Sequence, residues 1–104
     1  MAQIVIAPEA IADLAAAKQW YQDQRWGLGD DFELCIEATL QAIAAHPERF
    51  PLTHRSLRKA LIRRYPYLVV YRVLADLVVV IAVVHTSRSP KAWQSRPDTP
   101  ENEA

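Results

Sequence analysis

The spacing of apolar positions changes along this chain, and each change marks a new element. Gln3-Ile4-Val5-Ile6 is a short apolar run that reads as a strand. From Pro8 the spacing becomes helical. Ile11, Leu14, Ala17 or Lys18, and Tyr21 recur at steps of three and four, which predicts a helix over about 8–24. Pro8 fits the first turn, where its missing N–H costs nothing, and Glu9 complements the positive end of the helix dipole. Trp20 and Tyr21 read as packing residues near its end. Gly27-Leu28-Gly29 interrupts the pattern. Asp30 then reads as an N-cap, with Glu33 completing a capping box. Phe32, Ile36, Leu40 and Ile43 form the single apolar stripe of a second helix, which runs to about His46 and is stopped by Pro47. Two helices joined so closely form an antiparallel hairpin.

Beyond Pro47-Glu48-Arg49-Phe50-Pro51 the pattern turns to strands. Arg55–Arg64 places apolar Leu57, Ala60 and Ile62 among basic Arg58, Lys59, Arg63 and Arg64; its imperfect alternation suggests a bulge. Leu68–Leu74 and Leu77–Val84 are β-branched runs separated only by Ala75 and Asp76. The second is almost wholly Val, Ile, Leu and Ala, the composition of a strand buried on both faces. Pro66 turns the chain into the first run. A loop follows His85, and Pro90 opens a short helical turn carrying Trp93. The order β-α-α-β-β-β predicts an α+β fold: an antiparallel twisted sheet packed against an N-terminal helical hairpin, its last three strands a meander and its first strand beside the last. Residues 1–95 read as one domain. Residues 96–104, with two prolines and three acids, read as a flexible acidic tail.

A length of 104 residues is enough for one hydrophobic core. Leu77–Val84 is far too short to span a membrane, and the start lacks the charged region of a signal peptide, so a cytoplasmic protein without membrane contact is expected. Cys35 is alone, which excludes an internal disulfide and a cysteine metal site; it reads as a small buried hydrophobe. No cofactor or metal is expected.

Net charge is zero but strongly segregated. Residues 1–48 carry two basic and eight acidic side chains, whereas residues 49–96 carry ten basic ones and a single acid, Asp76. A basic sheet half of this kind implies either an anionic partner or pairing with the acids of the helices. The chemistry gathers at the ends of the two β-branched runs. His85, at the exit of the central strand, together with Arg63, Arg64 and Arg88 supplies the residue types of metal-free RNA cleavage: a proton carrier matched to neutral pH and cations for the scissile phosphate. Tyr65, Tyr67 and Trp93 suit stacking on a base. The competing readings are structural: His85 bonded to the loop Thr86–Ser89, Arg64 and Arg72 on a solvated or partner-facing surface, and Trp93 closing the end of the core.

These motifs, in this order, resemble the RelE/ParE superfamily of toxins from type II toxin–antitoxin systems. The resemblance is carried by Pro8-Glu9-Ala10 with Asp13-Leu14, Trp20-Tyr21, Gly27-Leu28-Gly29 leading to Phe32, His46-Pro47 to Phe50-Pro51, Arg64-Tyr65-Pro66-Tyr67 before Val70-Tyr71-Arg72-Val73, and His85-x-x-Arg88-x-Pro90-x-x-Trp93. It implies a toxin of the plasmid-stabilisation kind, neutralised by a cognate antitoxin whose extended segment wraps it. RelE-like members cut messenger RNA in the ribosomal decoding site; ParE-like members bind DNA gyrase. The cutting branch typically has an arginine directly after the position of Tyr67 and a catalytic tyrosine or histidine near the C-terminus. This chain has Leu68 and Trp93 there, and no net positive charge. A ParE-like protein that acts by binding a cellular target, DNA gyrase foremost, is therefore expected, with enzymatic activity left open. The resemblance and the charge pattern together put its partner surface at Arg58, Lys59, Arg63, Arg64, Tyr65, Tyr67, Arg72 and Trp93. The alternatives are a ribosome-dependent mRNA endoribonuclease using His85, Arg63, Arg64 and Arg88, and a non-toxic relic that only binds its antitoxin. Both a homodimer and a toxin–antitoxin hetero-oligomer are compatible with this reading.

Overall fold

The structure, a computed structural model, describes residues 1–97. Strand β1 (Gln3–Ile6) leads into helices α1 (Pro8–Gln24) and α2 (Leu28–Ala45). Strands β2 (Arg58–Leu61), β3 (Tyr67–Leu74) and β4 (Leu77–His85) follow, and a short helix α3 (Lys91–Gln94) comes last. The strands form one sheet in the order β1-β4-β3-β2. The expected meander is present, and β1 lies beside β4 as expected. It runs parallel to β4, so the sheet is mixed rather than antiparallel throughout. None of the helices among the described residues is long and apolar enough to cross a membrane.

Burial follows the composition of β4, whose seven inner residues are all buried. On one face, Ala10 and Ala17 of α1 and Phe32, Ile36 and Ile43 of α2 pack with Val69, Tyr71, Val78, Val80 and Val83. On the other, Leu57 and Trp93 pack with Val70, Val79, Ile81, Ala82 and Val84. The switch of parity within β4 comes from a β-bulge. Val70 pairs with Ala82 while Tyr71 pairs with Val80, leaving Ile81 as the extra residue. The irregularity expected within Arg55–Arg64 thus sits instead in the central pair of β3 and β4. Strand β2 is shorter than the expected Arg55–Arg64, because Arg55 takes a left-handed φ of 57° within a turn that delays its start to Arg58.

Three local expectations are corrected. The N-cap of α2 is Gly27, in a left-handed conformation (φ 86°), and not Asp30. Asp30 and Asp31 fall in the first helical turn, where they suit the dipole, and Glu33 bonds Lys18 across the hairpin at 2.9 Å instead of closing a capping box. The second glycine serves packing: a Cβ at Gly29 would lie 2.5 Å from the Lys18 carbonyl oxygen. On α1, Ile11 and Trp20 point outward, 55% and 57% exposed. The inward line is Ala10, Asp13, Leu14, Ala17 and Tyr21, because the two alanines let the helix lie close to the sheet.

That line contains a carboxylate, and its partner is the backbone of β4. Strand β1 covers only Leu77–Val80, and the Ala7 N–H closes its end by donating to the Val80 carbonyl at 2.9 Å. Beyond that point β4 has no neighbouring strand on this side. Asp13 Oδ2 accepts from the Val83 N–H at 3.0 Å, and Arg96 Nη1 donates to the Ile81 carbonyl at 3.2 Å. The two side chains also pair with each other, Nη1 to Oδ2 at 2.7 Å and Nη2 to Oδ1 at 3.2 Å. Of the tail expected from residue 96 onward, Arg96 is therefore anchored to the sheet; residues 98–104 lie outside the described residues.

Removing the guanidinium leaves a half-buried carboxylate and a carbonyl without their donor. Arg96→Ala is expected to lower stability by about 2–3 kcal/mol in chemical denaturation, and Arg96→Lys to recover only part of it, since an ammonium does not present the fork. The β3–β4 turn offers the opposite case. Ala75 sits there at φ 56°, so Ala75→Gly is expected to raise stability by about 1 kcal/mol, read as a higher denaturation midpoint with an unchanged slope.

Candidate partner-binding site

The β2–β3 connection carries Arg63, Arg64, Tyr65 and Pro66, and its shape follows from one residue. Arg64 takes a left-handed φ of 71°, which reverses the chain and turns its side chain back toward the start of α2. There Arg64 Nη2 meets both oxygens of Asp31, at 2.8 and 2.9 Å, and the Cys35 sulfur at 3.4 Å. Tyr65 donates its hydroxyl to Asp31 Oδ2 at 2.6 Å. The Asp31 carboxyl is held below the usual aspartate range, first by the Tyr65 hydroxyl and then by Arg64. Burial and the adjacent carboxylate push the Tyr65 phenol up to about 12.

Around this knot the aromatic side chains form a continuous column. Tyr21 meets Phe32, Tyr65 and Tyr67 with ring centroids 4.8–6.0 Å apart. Phe32 meets Tyr65 and Tyr67 edge to face at 5.1 and 5.2 Å. Trp20 extends the column at one end and His85 at the other, each about 5 Å from its neighbour (5.1 and 5.3 Å). Such edge-to-face pairs add to the burial they accompany. Burial also pushes the Tyr67 phenol up, against the opposing pull of Arg88.

His85 is tied to its own loop. Its Nδ1 accepts from the Ser87 N–H at 3.0 Å and lies 2.8 Å from the Ser87 hydroxyl. A backbone N–H only donates, so Nδ1 is an acceptor and the neutral ring carries its proton on Nε2. The next loop bonds run from the Thr86 N–H to the Pro66 carbonyl and from the Arg88 N–H to the His85 carbonyl.

The residues expected to contact a partner are therefore divided. Tyr65 and Trp93 are 8% and 4% exposed, and both are core residues with little surface to offer; Trp93 closes the far face of the sheet, its ring 6.4 Å from that of His54. Arg58 is used within the chain, donating to the Glu48 and Phe50 carbonyls at 3.1 and 2.7 Å. Arg72 is half-buried on β3, and Tyr67 is half-buried in the aromatic column. Lys59, Arg63 and Arg64 are exposed. Arg63 and Arg64 border a groove of about 740 Å³ between α2 and the edge of β2, to which Arg49, Asp31 and Leu61 also contribute. Asp31 was not singled out from sequence, although two consecutive acids in the first turn of a helix were a visible signal. Neither was Trp26, 89% exposed at the tip of the hairpin. Among the described residues no cluster of His, Cys, Asp and Glu could hold a metal ion.

A helical hairpin laid on a small sheet agrees with the fold that the resemblance to toxins of the RelE/ParE superfamily implied. The family model described as the ParE toxin of type II toxin–antitoxin system, parDE, matches residues 4–90, and the chain belongs to that family. It is a ParE-type toxin, the class that pairs with a cognate antitoxin. Among solved structures, a chain of the chromosomal ParDE TA system from P. aeruginosa shares the fold, with a TM-score of 0.73 and 16% sequence identity. The match covers 82% of this chain and 96% of that one. No curated protein sequence gives a match.

The Asp31–Tyr65 bond sets two pH limits of opposite sign. The Asp31 carboxyl is lowered in the folded state, so its stabilisation is present above 3.8 and is lost as pH falls through the folded value. The Tyr65 phenol is raised from 10.0 to about 12, so its stabilisation is full below 10.0 and is lost as pH rises through that window. In Tyr65→Phe, an NMR titration of the Asp31 carboxyl is expected to show it moving up toward the ordinary aspartate value, and the alkaline loss of stability between pH 10 and 12 should shrink.

Proposed function

We propose that this toxin arrests growth by binding a protein target, DNA gyrase, and not by cutting RNA, and that its antitoxin neutralises it by covering the basic half. The observation that carries the reading is the state of the groups a nuclease would need. His85 has its Nδ1 engaged by Ser87, so a base at Nε2 requires giving up that bond. Arg64 is neutralised by Asp31. Leu68, where the cutting branch has an arginine, packs into the apolar cluster on the face of the sheet away from the helices. The exposed tryptophans of the hairpin, Trp20 and Trp26, support the same reading, since tryptophan is the residue type most enriched where protein partners gain their binding energy. Arg49, Lys59, Arg63 and Arg88 stand exposed on the basic half and suit an acidic antitoxin segment.

The test places two readouts side by side for the purified toxin: inhibition of supercoiling by gyrase, and cleavage of mRNA in a reconstituted translation system. Loss of supercoiling without cleavage is the expected result. His85→Ala should leave growth arrest within about twofold of the parent, because a binder loses only one peripheral contact. Cleavage that disappears in His85→Ala, with supercoiling untouched, sinks the proposal in favour of the ribonuclease.

A further inference from the structure

The two edges of the sheet are treated differently. At one edge, β2 carries Arg58 and Lys59, with Arg63 and Arg64 just beyond it, and the Lys59 N–H is spent on the Pro51 carbonyl at 3.1 Å. Charge and local bonding of this kind keep an edge from pairing with another chain. At the other edge, β1 has neither protection. Gln3-Ile4-Val5-Ile6 holds no charge and no proline, its register with β4 has no bulge, and the flanking Ala2 and Ala7 are uncharged too.

The backbone of β1 is open in a definite pattern, because successive residues of a strand turn their N–H and C=O groups to opposite sides. The Gln3 N–H donates to the Asp76 carbonyl at 3.0 Å and the Ala7 N–H to the Val80 carbonyl at 2.9 Å, so Gln3, Val5 and Ala7 turn toward β4. Ile4 and Ile6 turn outward, and among the described residues no hydrogen bond reaches their N–H groups. Ala2 shares the outward phase but is already satisfied, its N–H donating to the Ala44 carbonyl at 2.9 Å. The side chains add an apolar surface on both faces. Ile4 and Ile6 pack on the helix side, where Ile6 also lines an apolar hollow of about 450 Å³ with Ile11, Leu14 and Leu40. Val5, in register with Val79, lies on the other face and is 38% exposed.

We infer that β1 pairs antiparallel with β1 of a second copy of this chain, Val5 meeting Val5 of the partner subunit on a two-fold axis, so that one sheet runs through both copies. In this register each Ile4 exchanges its N–H and C=O with Ile6 of the partner subunit. It also sets Ala2 opposite Pro8 of the partner subunit, where no donor is left over: the N–H of Ala2 is spent on Ala44, and proline has none. Sliding the partner by one hydrogen-bonding repeat in either direction sets Ile6 against Ala2 or Ile4 against Pro8, and a C=O then lacks its donor. The register is thus the one in which the edge complements its own rotated image. An uncharged edge suits an uncharged partner strand, whereas a charged segment finds no counter-charge along β1. The basic groove lies at the opposite edge of the sheet and stays free in such a dimer.

The test measures self-association of the full-length toxin, without its antitoxin, by analytical ultracentrifugation over a range of concentrations. A reversible monomer–dimer equilibrium is expected. Val5→Lys and Val5→Glu each set like charges face to face on the axis and should weaken it by about tenfold or more, while an equimolar mixture of the two variants should dimerise again. Lys91→Glu, a charge change on α3, should leave it unchanged. In the parent, exchange of the Ile4 and Ile6 amides should slow by about tenfold or more between dilute and concentrated samples, a readout that holds even where a variant fails to fold. A parent that stays monomeric at every concentration overturns the proposal. So does a dimer in which Ile4 and Ile6 gain no protection and both Val5 variants associate like the parent. Protection of Ile4 and Ile6 that appears only on adding the antitoxin assigns the edge to that partner and also overturns it.

Discussion

The structure depends on closing the edge of a strand that its neighbour does not cover. Strand β4 is buried on both faces, yet β1 accompanies it only to Val80. Backbone groups left bare beside a buried strand cost about as much as several good contacts return. Asp13 and Arg96 solve this by presenting an acceptor and a donor where a strand would present a C=O and an N–H. The bulge at Ile81 belongs to the same arrangement, because it is the Ile81 carbonyl that Arg96 meets. A pair of opposite charges thus stands in for strand backbone, and each charge is neutralised by the other. Few pairings meet both needs, since the cation must reach a carbonyl and the carboxylate an N–H while they hold each other.

Much of the architecture was legible because it follows from period and composition. The stripe Phe32, Ile36, Leu40, Ile43 fixed the buried side of α2, and the Val-rich run fixed β4 as the central strand. What was not legible depends on tertiary partners. Asp13 looked like an ordinary polar helix residue until the uncovered edge of β4 gave it a purpose. Ile11 fits the helical period yet is exposed, because the small size of Ala10 and Ala17 decides how the helix settles on the sheet. The cap of α2 was misplaced for a related reason. Propensity favours aspartate at an N-cap, but Gly27 could adopt the left-handed turn that the hairpin required, and Asp31 was then free to meet Arg64 and Tyr65.

The candidate site was half visible. The charge asymmetry was plain from counting, and the structure keeps it: Lys59, Arg63 and Arg88 remain on the surface of the sheet half. The aromatic residues of the same stretch were another matter. A tyrosine or tryptophan beside arginines reads equally well as surface or core, and only packing decides. Tyr65 and Trp93 went inside, to a carboxylate knot and to the far face of the sheet. Family membership fixes the class of the molecule, while the groups of His85 and Arg64, each engaged by a neighbour, bear on how a member of that class would act.

The clamp on β4 has a consequence for the order of assembly. Asp13 reaches Val83 across 70 residues and Arg96 across 83. Strand β1 likewise waits for β4, its parallel partner, made long after it. Contacts so distant along the chain form late, after the helical hairpin and the meander have each had time to collapse. While the polypeptide emerges from the ribosome, its first strand has no edge to join and its central strand no complete cover. The native sheet therefore closes as one of the last events of synthesis, so a truncated product ending before Arg96 would keep the bulged edge of β4 open to pairing with another chain.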